Sequence, residues 1–410
     1  MVHVANIDVG LKVHLGHYMQ YQRDQGYDVS AITHPGRWLS EDTTILNGIF
    51  VKIIPFEPRI SPLADLRTLV RLVRYFRRER FDIVHTHTVK PGLLGRLAAR
   101  MARVPVVVHT VHGFYFFEGM NRAQYALYAM VEKIGSACSD LILSQNKQDI
   151  ETAVRERICP PEKIHYLGNG IDLDTFNPSL ISPERVLALR DELGIPPAHA
   201  LIGFAARLEQ DKGICEFLEA ASILKSRAVK ARFLVIGEVP ASKRSSVSLP
   251  ELLHKLNIEN EVMLLGYRND IPELLSLMDI LVLPSHGREG VPRILMESAA
   301  LGKPVVATRV RGNVEAVEDG VTGLLVPVRD SSALAEGIMR LLDNPGLAAE
   351  MGAHARQRAL THFDERHFFV KTDVEYRRLL EAKLGIKTDE VLKPVMSTAI
   401  KSDCEGHYEH

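Results

Sequence analysis

Short apolar runs rich in β-branched residues alternate along the first half of the chain with longer stretches in which apolar positions recur every three or four residues. The runs fall at 2–7, 29–33, 51–55, 82–87, 104–110 and 141–145, with amphipathic stretches such as 63–79 and 93–101 between them. Runs of that length read as strands and the periodic stretches as helices. The second half repeats the pattern more clearly. Strands are predicted at 201–206, 232–237, 262–266, 280–284, 305–308 and 323–326, separated by helices that include 213–225, 250–256, 272–277, 292–300 and 333–342. Such alternation predicts parallel strands with crossover helices, an α/β fold of two Rossmann-like doubly wound domains facing a central cleft. Ligands of these sheets bind at the carboxyl ends of strands, so the chemistry is expected on loops that directly follow them.

Turn residues at both ends of 177–183 place a linker there. The predicted organisation is a domain over 1–180, a second over 181–362, a helix over 363–384 and a polar, aperiodic tail over 385–410. Length agrees, because 410 residues exceed what one hydrophobic core usually serves. A hydrophobic share of 46% and a charged share of 25% are those of a globular chain. No apolar run approaches the roughly 18 residues of a membrane span, and the first residues lack the regions of a signal peptide, so a cytoplasmic location is expected. Cys138, Cys159, Cys215 and Cys404 are far apart with no paired spacing, which argues against a disulfide framework and against a cysteine zinc site.

Charge changes the picture in one region. The net charge is −1, yet from Arg59 to Arg103 eleven Arg or Lys face three acids. Arg67, Arg71, Arg74 and Arg78 follow helical spacing beside Leu66, Leu69, Val70 and Val73, and Arg96, Arg100 and Arg103 repeat the arrangement. Basic helices over 63–80 and 92–103 can dock on an anionic membrane surface, each charge contributing about 1 kcal/mol; the alternative is a solvated basic face over an apolar side packed on the sheet.

Candidate chemistry lies mainly in the second half. Glu289 and Glu297 bracket a turn of Gly290, Val291 and Pro292 that opens a helix, because proline is favoured where its missing N–H costs nothing. Free backbone N–H groups from Gly290 to Arg293 attract hydroxyls or phosphate oxygens. Two acceptors and a row of donors suit an elongated polar ligand such as a nucleotide sugar. Arg207 and Lys212 lie on a loop leading from a strand into a helix. A guanidinium and an ammonium there make a clamp for a diphosphate and relieve a metal of that work. Asp172 and Asp174 match an Asp-x-Asp metal pattern but read as a turn with a side-chain cap. In the first half, His85 and His87 share one side of a strand, a spacing that can bind zinc, but no cysteine or carboxylate of fitting spacing accompanies them. His112 precedes Gly113 at a strand end, where backbone can approach a ligand closely. No Ser-His-Asp pattern and no reactive cysteine context appears.

Taken together and in order, these segments resemble the family-4 retaining glycosyltransferases of the GT-B type, over residues 1 to 384. Three stretches carry the resemblance: 207–213, 289–297, and the Gly-Asn-Gly-Ile-Asp at 168–172. The strings HTHTVKPGLLGRLAARMA and HTVHGFYF resemble the branch that assembles capsule, exopolysaccharide or O-antigen units. The resemblance implies an acceptor-side N-terminal domain, a nucleotide-sugar-binding C-terminal domain, and a 363–384 helix that returns to the first. It implies that Arg207 and Lys212 hold the diphosphate, that Glu297 accepts from the ribose, and that Glu289 and the backbone of Gly290, Val291, Pro292 and Arg293 hold the sugar. By the same resemblance His112 approaches the reacting carbon, Gly10 the phosphates, and Gly266 and Arg268 flank the base. Many relatives carry paired glycines in the first loop, where this chain has Gly10 alone, between Val9 and Leu11. Retention by front-face attack implies no protein nucleophile. The implied donor is a UDP-hexose or UDP-N-acetylhexosamine, and the implied acceptor is a saccharide or a polyprenyl-diphosphate-linked saccharide. No cofactor, metal or nucleic-acid partner is expected. A GT-B nucleotide-sugar 2-epimerase would need an acid and a base beside C2 and no acceptor; a non-catalytic scaffold would have lost the charges of Arg207, Lys212, Glu289 or Glu297.

Overall fold

Valine, isoleucine and leucine fill the strands because both faces of each sheet are covered, the expectation for parallel sheets. The structure, a computed structural model, describes residues 1–5, 15–36, 43–46, 48–57, 61–116, 120–239, 248–287 and 290–393. The chain forms two compact units, Met1–Gly168 with Arg366–His410, and Asn169–Glu365.

In the first unit the strands are β1 (Val2–Val4), β2 (Ser30–Thr33), β3 (Thr43–Leu46), β4 (Ile49–Ile53), β5 (Ile83–His87), β6 (Val106–Val111), β7 (Leu141–Ser144) and β8 (Ile164–Tyr166). Their order is β3-β4-β2-β1-β5-β6-β7-β8, parallel except for β3 against β4. Every residue of β5, β6 and β7 is buried. One face packs on helix Pro62–Glu79 through Leu72, Val73, Tyr75 and Phe76, and on Val89–Ala102 through Leu94, Ala98 and Ala99. The other is covered by helix Gly16–Gln25, through Tyr18 and Met19, and by the late helix Glu365–Leu384, through Phe368, Phe369, Tyr376, Leu379 and Leu380.

The second unit holds β9 (Ala200–Ala205), β10 (Ala231–Ile236), β11 (Val262–Gly266), β12 (Ile280–Leu283), β13 (Val305–Thr308) and β14 (Leu324–Val326). All pair in parallel in the order β11-β10-β9-β12-β13-β14. The order reverses between β9 and β12, so the loops leaving those two strands flank the crevice where doubly wound sheets take their ligands. Separate apolar clusters fill the two faces, one around Leu201, Leu234 and Leu281, the other around Phe204, Phe217 and Phe233. The 177–183 segment, where turn residues placed a linker, forms a tight turn, Pro178–Leu180, and enters helix Pro183–Glu192, whose Leu189 is buried in the second unit's core. Among the described residues no helix is long and apolar enough to cross a membrane.

Candidate active site

The loop after β9 begins at Ala206 and ends at Gly213. Gly213 has φ +78°, and a methyl group there would lie 2.1 Å from the Pro284 carbonyl oxygen. Only glycine lets this loop press on the one that leaves β12. Backbone N–H groups of His286 and Gly287 donate to Asp211 O at 3.0 and 3.2 Å, tying the two loops together. Just past the adjacent strand, Gly237 holds φ +133° with space for no side chain, since a methyl would stand 1.9 Å from Ala206 O. The loops bearing Arg207 and Lys212 and those leading to Gly290 are therefore brought together at the switch point of the sheet.

Arg207 is exposed and its Nη1 donates to Glu209 Oε1 at 2.8 Å. Lys212, half-buried, closes the short turn Gln210–Lys212. Glu289 lies outside the described residues, as does Gly10. Helix Arg293–Ala300 begins one residue later than its proline implies: Pro292 is the N-cap, with φ −67° and ψ 121°, and no side chain caps the first turn. Glu297, 12% exposed, faces Arg293 at 3.5 Å. Burial raises the Glu297 carboxyl above its usual range, and the Arg293 guanidinium opposes this.

The 168–172 stretch joins the same site. Asn169 Nδ2 donates to Val291 O at 3.1 Å and Arg293 Nη1 to Gly170 O at 3.1 Å. Two of the three segments that carry the resemblance are thus hydrogen-bonded to each other across more than a hundred residues of chain. Gly170 is required for close approach, because a methyl there would sit 2.5 Å from Glu365 Cα. Asp172 caps its own turn, accepting from Asp174 N at 3.0 Å and from Thr175 Oγ1 at 2.5 Å.

Gly266, with φ +66°, has nothing within 4 Å of a methyl placed on it, so its end of β11 is open. Arg268 is committed locally: its Nε and Nη2 donate to Asp270 Oδ1 and Oδ2 at 2.8 and 2.5 Å, and that hydrogen bonding holds the Asp270 carboxyl below its usual range. Ser285, Thr308 and Asn313 reinforce the loop after β12, Thr308 Oγ1 donating to Ser285 O and Asn313 Nδ2 to Thr308 O at 2.9 Å. Sequence reading passed over all three, since their role depends on which strands become neighbours.

In the first unit both ring nitrogens of His112 are engaged, Nε2 with His87 Nδ1 and Nδ1 with Gln145 Oε1, each at 3.1 Å. Ligand-capable nitrogens of His3, His85 and His87 lie within 4.8 Å of one another. Each ring nitrogen of the three is nevertheless spent on a hydrogen bond, to Gln22, Tyr376, Thr110, His112 or one another. Burial, with neighbouring charges adding, pushes His3 down to about 4 and holds His85, His87 and His109 well below the usual imidazole range.

The basic helices divide. Arg67, Arg71, Arg74 and Arg78 are exposed, and so are Leu63, Leu66 and Val70. Arg96 corrects the expectation for the second stripe: it is fully buried, pairs with Glu132 at 3.0 Å and donates to Gly92 O at 2.8 Å. Helix Arg122–Ala137 passes over it at Gly135, where a methyl would stand 2.3 Å from the guanidinium carbon. Arg100 and Arg103 remain exposed.

Comparison with known proteins bears on these features. Residues 9–170 match the family described as glycosyl transferase 4-like domain, and residues 187–358 match glycosyl transferases group 1. An Escherichia coli protein, UDP-Gal:alpha-D-GlcNAc-diphosphoundecaprenol alpha-1,3-galactosyltransferase, is 30% identical over 74% of this chain and 77% of its own. The capsular polysaccharide biosynthesis glycosyltransferase CapM of Staphylococcus aureus is 26% identical over 90% of this chain and 94% of its own. In structure, Anabaena HepE in complex with UDP and glucose superposes with a TM-score of 0.77 at 20% identity, over 93% of this chain and 99% of that one.

Proposed function

Because the chain belongs to the family-4 glycosyltransferases of the GT-B fold, we propose that it moves a hexose or N-acetylhexosamine from a UDP-sugar to a lipid-linked saccharide during assembly of a bacterial surface polysaccharide. The observation that carries this reading is the junction at the switch point of the second sheet. There the loop of Arg207 and Lys212 abuts the loop leading to Gly290, and the uncapped first turn of Arg293–Ala300 stands beside Glu297.

Arg207 and Lys212 are assigned to the diphosphate. Their charge meets the negative charge that grows on the departing nucleoside diphosphate, work that needs no metal in this reading. Glu297 is assigned to the ribose hydroxyls, where a charged acceptor makes the stronger kind of hydrogen bond. Glu289 and the backbone of Gly290, Val291, Pro292 and Arg293 hold the sugar, helped by first-turn N–H groups. Gly266 leaves room for the base; Arg268 borders it through a side chain already braced on Asp270. His112 is assigned to the reacting end of the sugar and Gly10 to the phosphates. In this reading the linkage is retained by front-face attack, as the resemblance implies: the departing phosphate oxygen takes the acceptor's proton, no protein nucleophile is called for, and alignment does most of the work.

The acceptor class follows the chemistry of the relatives' names, one of which acts on a diphosphoundecaprenol-linked sugar. Exposed Leu63, Leu66 and Val70 beside Arg67, Arg71 and Arg74 support peripheral binding at the cytoplasmic face of the membrane. Equal recovery of the protein on neutral and anionic vesicles at low salt would remove that part.

Transfer is tested with the UDP-sugars as donors and a polyprenyl-diphosphate sugar as acceptor, in buffer with and without chelator, the product's anomeric configuration being read by NMR. Lys212→Ala and Glu289→Gln are each expected to lower kcat about 10²- to 10³-fold with the fold intact. Near-normal turnover by both would mean that the site lies elsewhere.

A further inference from the structure

Five side chains of the first unit form one continuous hydrogen-bonded row. It runs from Gln22 Oε1 to His3 Nε2 at 2.7 Å, His3 Nδ1 to His87 Nε2 at 3.0 Å, His87 Nδ1 to His112 Nε2 at 3.1 Å, and His112 Nδ1 to Gln145 Oε1 at 3.1 Å. The register of the sheet builds it. His3 stands opposite His85 and His87 opposite Thr110, so each step from β1 to β5 to β6 also climbs two residues toward the carboxyl ends. A two-residue climb keeps every ring on one face. Gln145 extends the row just past the Val111 and Ser144 pair of β6 and β7.

Proton counting makes this row more than scaffolding. Four bonds need four N–H groups, three neutral imidazoles supply three, and an amide oxygen at each end supplies none. The row therefore either holds one proton beyond three neutral rings or has a carboxamide turned so that its NH2 faces inward. Both end amides are buried, Gln22 at 1% and Gln145 at 7% exposure beside half-buried His112, and the Nε2 of Gln22 has no hydrogen-bond partner among the described residues. The turned carboxamide can stand at either end of the row. In the neutral state all three rings then carry their proton on the same nitrogen, Nε2 where Gln145 is the turned amide and Nδ1 where Gln22 is.

We propose that His3, His87 and Gln145 are positioning residues that set the tautomer and proton count of His112, through a row that gains or loses one proton at its His112 and Gln145 end. This rests on the reading in which His112 faces the sugar. The titratable and charged groups around the row are the N-terminal ammonium before β1, His85 on β5, His109 on β6 with Arg96 near it, and Tyr18 and Tyr376 on the covering helices. Burial keeps the row neutral at pH 7, and acid supplies the extra proton.

NMR of the full chain, isotope-labelled at the histidine ring nitrogens, tests this without substrate. At pH 7 His3, His87 and His112 are expected to share one tautomer, all Nε2–H or all Nδ1–H, with proton uptake on acidification read at His112. Gln145→Glu, whose carboxylate only accepts, is expected to raise the proton affinity of His112 about tenfold or more. His3→Phe breaks the row two rings away and is expected to change the tautomer populations of His112 without touching it; should that variant not fold, Gln22→Leu interrupts the same end. Unchanged His112 signals in Gln145→Glu, or in a folded far-end variant, overturn the inference. The acid limb of kcat/KM for transfer is expected to move upward in Gln145→Glu. If the ring signals shift and that limb does not, the row stands and the assignment of His112 to the sugar fails.

Discussion

Glu297 meets two opposed demands. Its surroundings disfavour the charge, while the proposed bond to ribose requires it. A carboxyl whose folded pKa is raised makes the folded state bind its proton more tightly, so stability declines as pH rises from the unfolded value through the folded one. Glu297→Gln is therefore expected to be at least as stable as the parent at pH 7. Its affinity for the UDP-sugar should fall about 10- to 100-fold, the worth of a hydrogen bond to a charged group. Calorimetric melts and titrations read the two effects separately; a variant that loses stability and keeps affinity would reverse the assignment. That Glu297 falls on a helix and Arg207 and Lys212 on the loop after a strand was legible in the sequence, because each sits at a fixed offset from a local signal, a proline or a glycine. Arg96 was misread because helical spacing places it on a basic stripe, and nothing local tells that Glu132, thirty-six residues on, folds against it. His3, Gln22 and Gln145 left no signal, as their row exists only through strand register.

Elements follow the same logic at larger scale. The central strands were legible because burial on both faces makes them continuous apolar runs, and β11 and β13 fall at the expected residues. The sheet's edge strands β3 and β8 were not foreseen: Thr-Thr-Ile-Leu and Ile-His-Tyr are too short and too polar to stand out from loops. The loops between elements carry the proposed site, and their packing rests on glycine. Gly213→Ala is expected to cost at least about 1 kcal/mol for the positive φ alone, and more for the collision with Pro284 O. Its consequence should be local, a lower melting temperature with UDP-sugar affinity falling more steeply than in a control such as Gly346→Ala, where a methyl meets open space. Equal losses in both variants would count against the junction of the two loops as the donor site.

Across the whole molecule, buried imidazoles set the response to acid. Folding lowers His3 from 6.5 to about 4 and holds His85, His87 and His109 well below the usual imidazole range. The folded state thus binds fewer protons than the unfolded one, so this stability is complete above pH 6.5 and is lost as pH falls through the folded values. Each group contributes a slope of up to about 1.4 kcal/mol per pH unit. Melting temperatures are expected to drop steeply below pH 6.5, and His3→Gln to flatten the drop; a level profile down to pH 4.5 would contradict the burial of the cluster. The late helix matters on this scale as well. Removing residues 366–410 strips Phe368, Phe369, Tyr376, Leu379 and Leu380 from the core that contains Tyr18 and Val106. Such a truncation is expected to abolish the cooperative melting of the first unit, and retention of that transition would show the helix to be dispensable.

The second unit also starts and finishes at one place. Ile171 N donates to Phe363 O at 2.8 Å and Glu365 N to Ile171 O at 3.1 Å, so incoming and outgoing backbone run side by side. Everything from Asn169 to Glu365 is, in topological terms, one uninterrupted insert within the chain of the first unit. Two recombination points at neighbouring positions in space would exchange it whole, which on the proposed reading changes the activated sugar while the other unit, and the acceptor surface proposed for it, stays as it was.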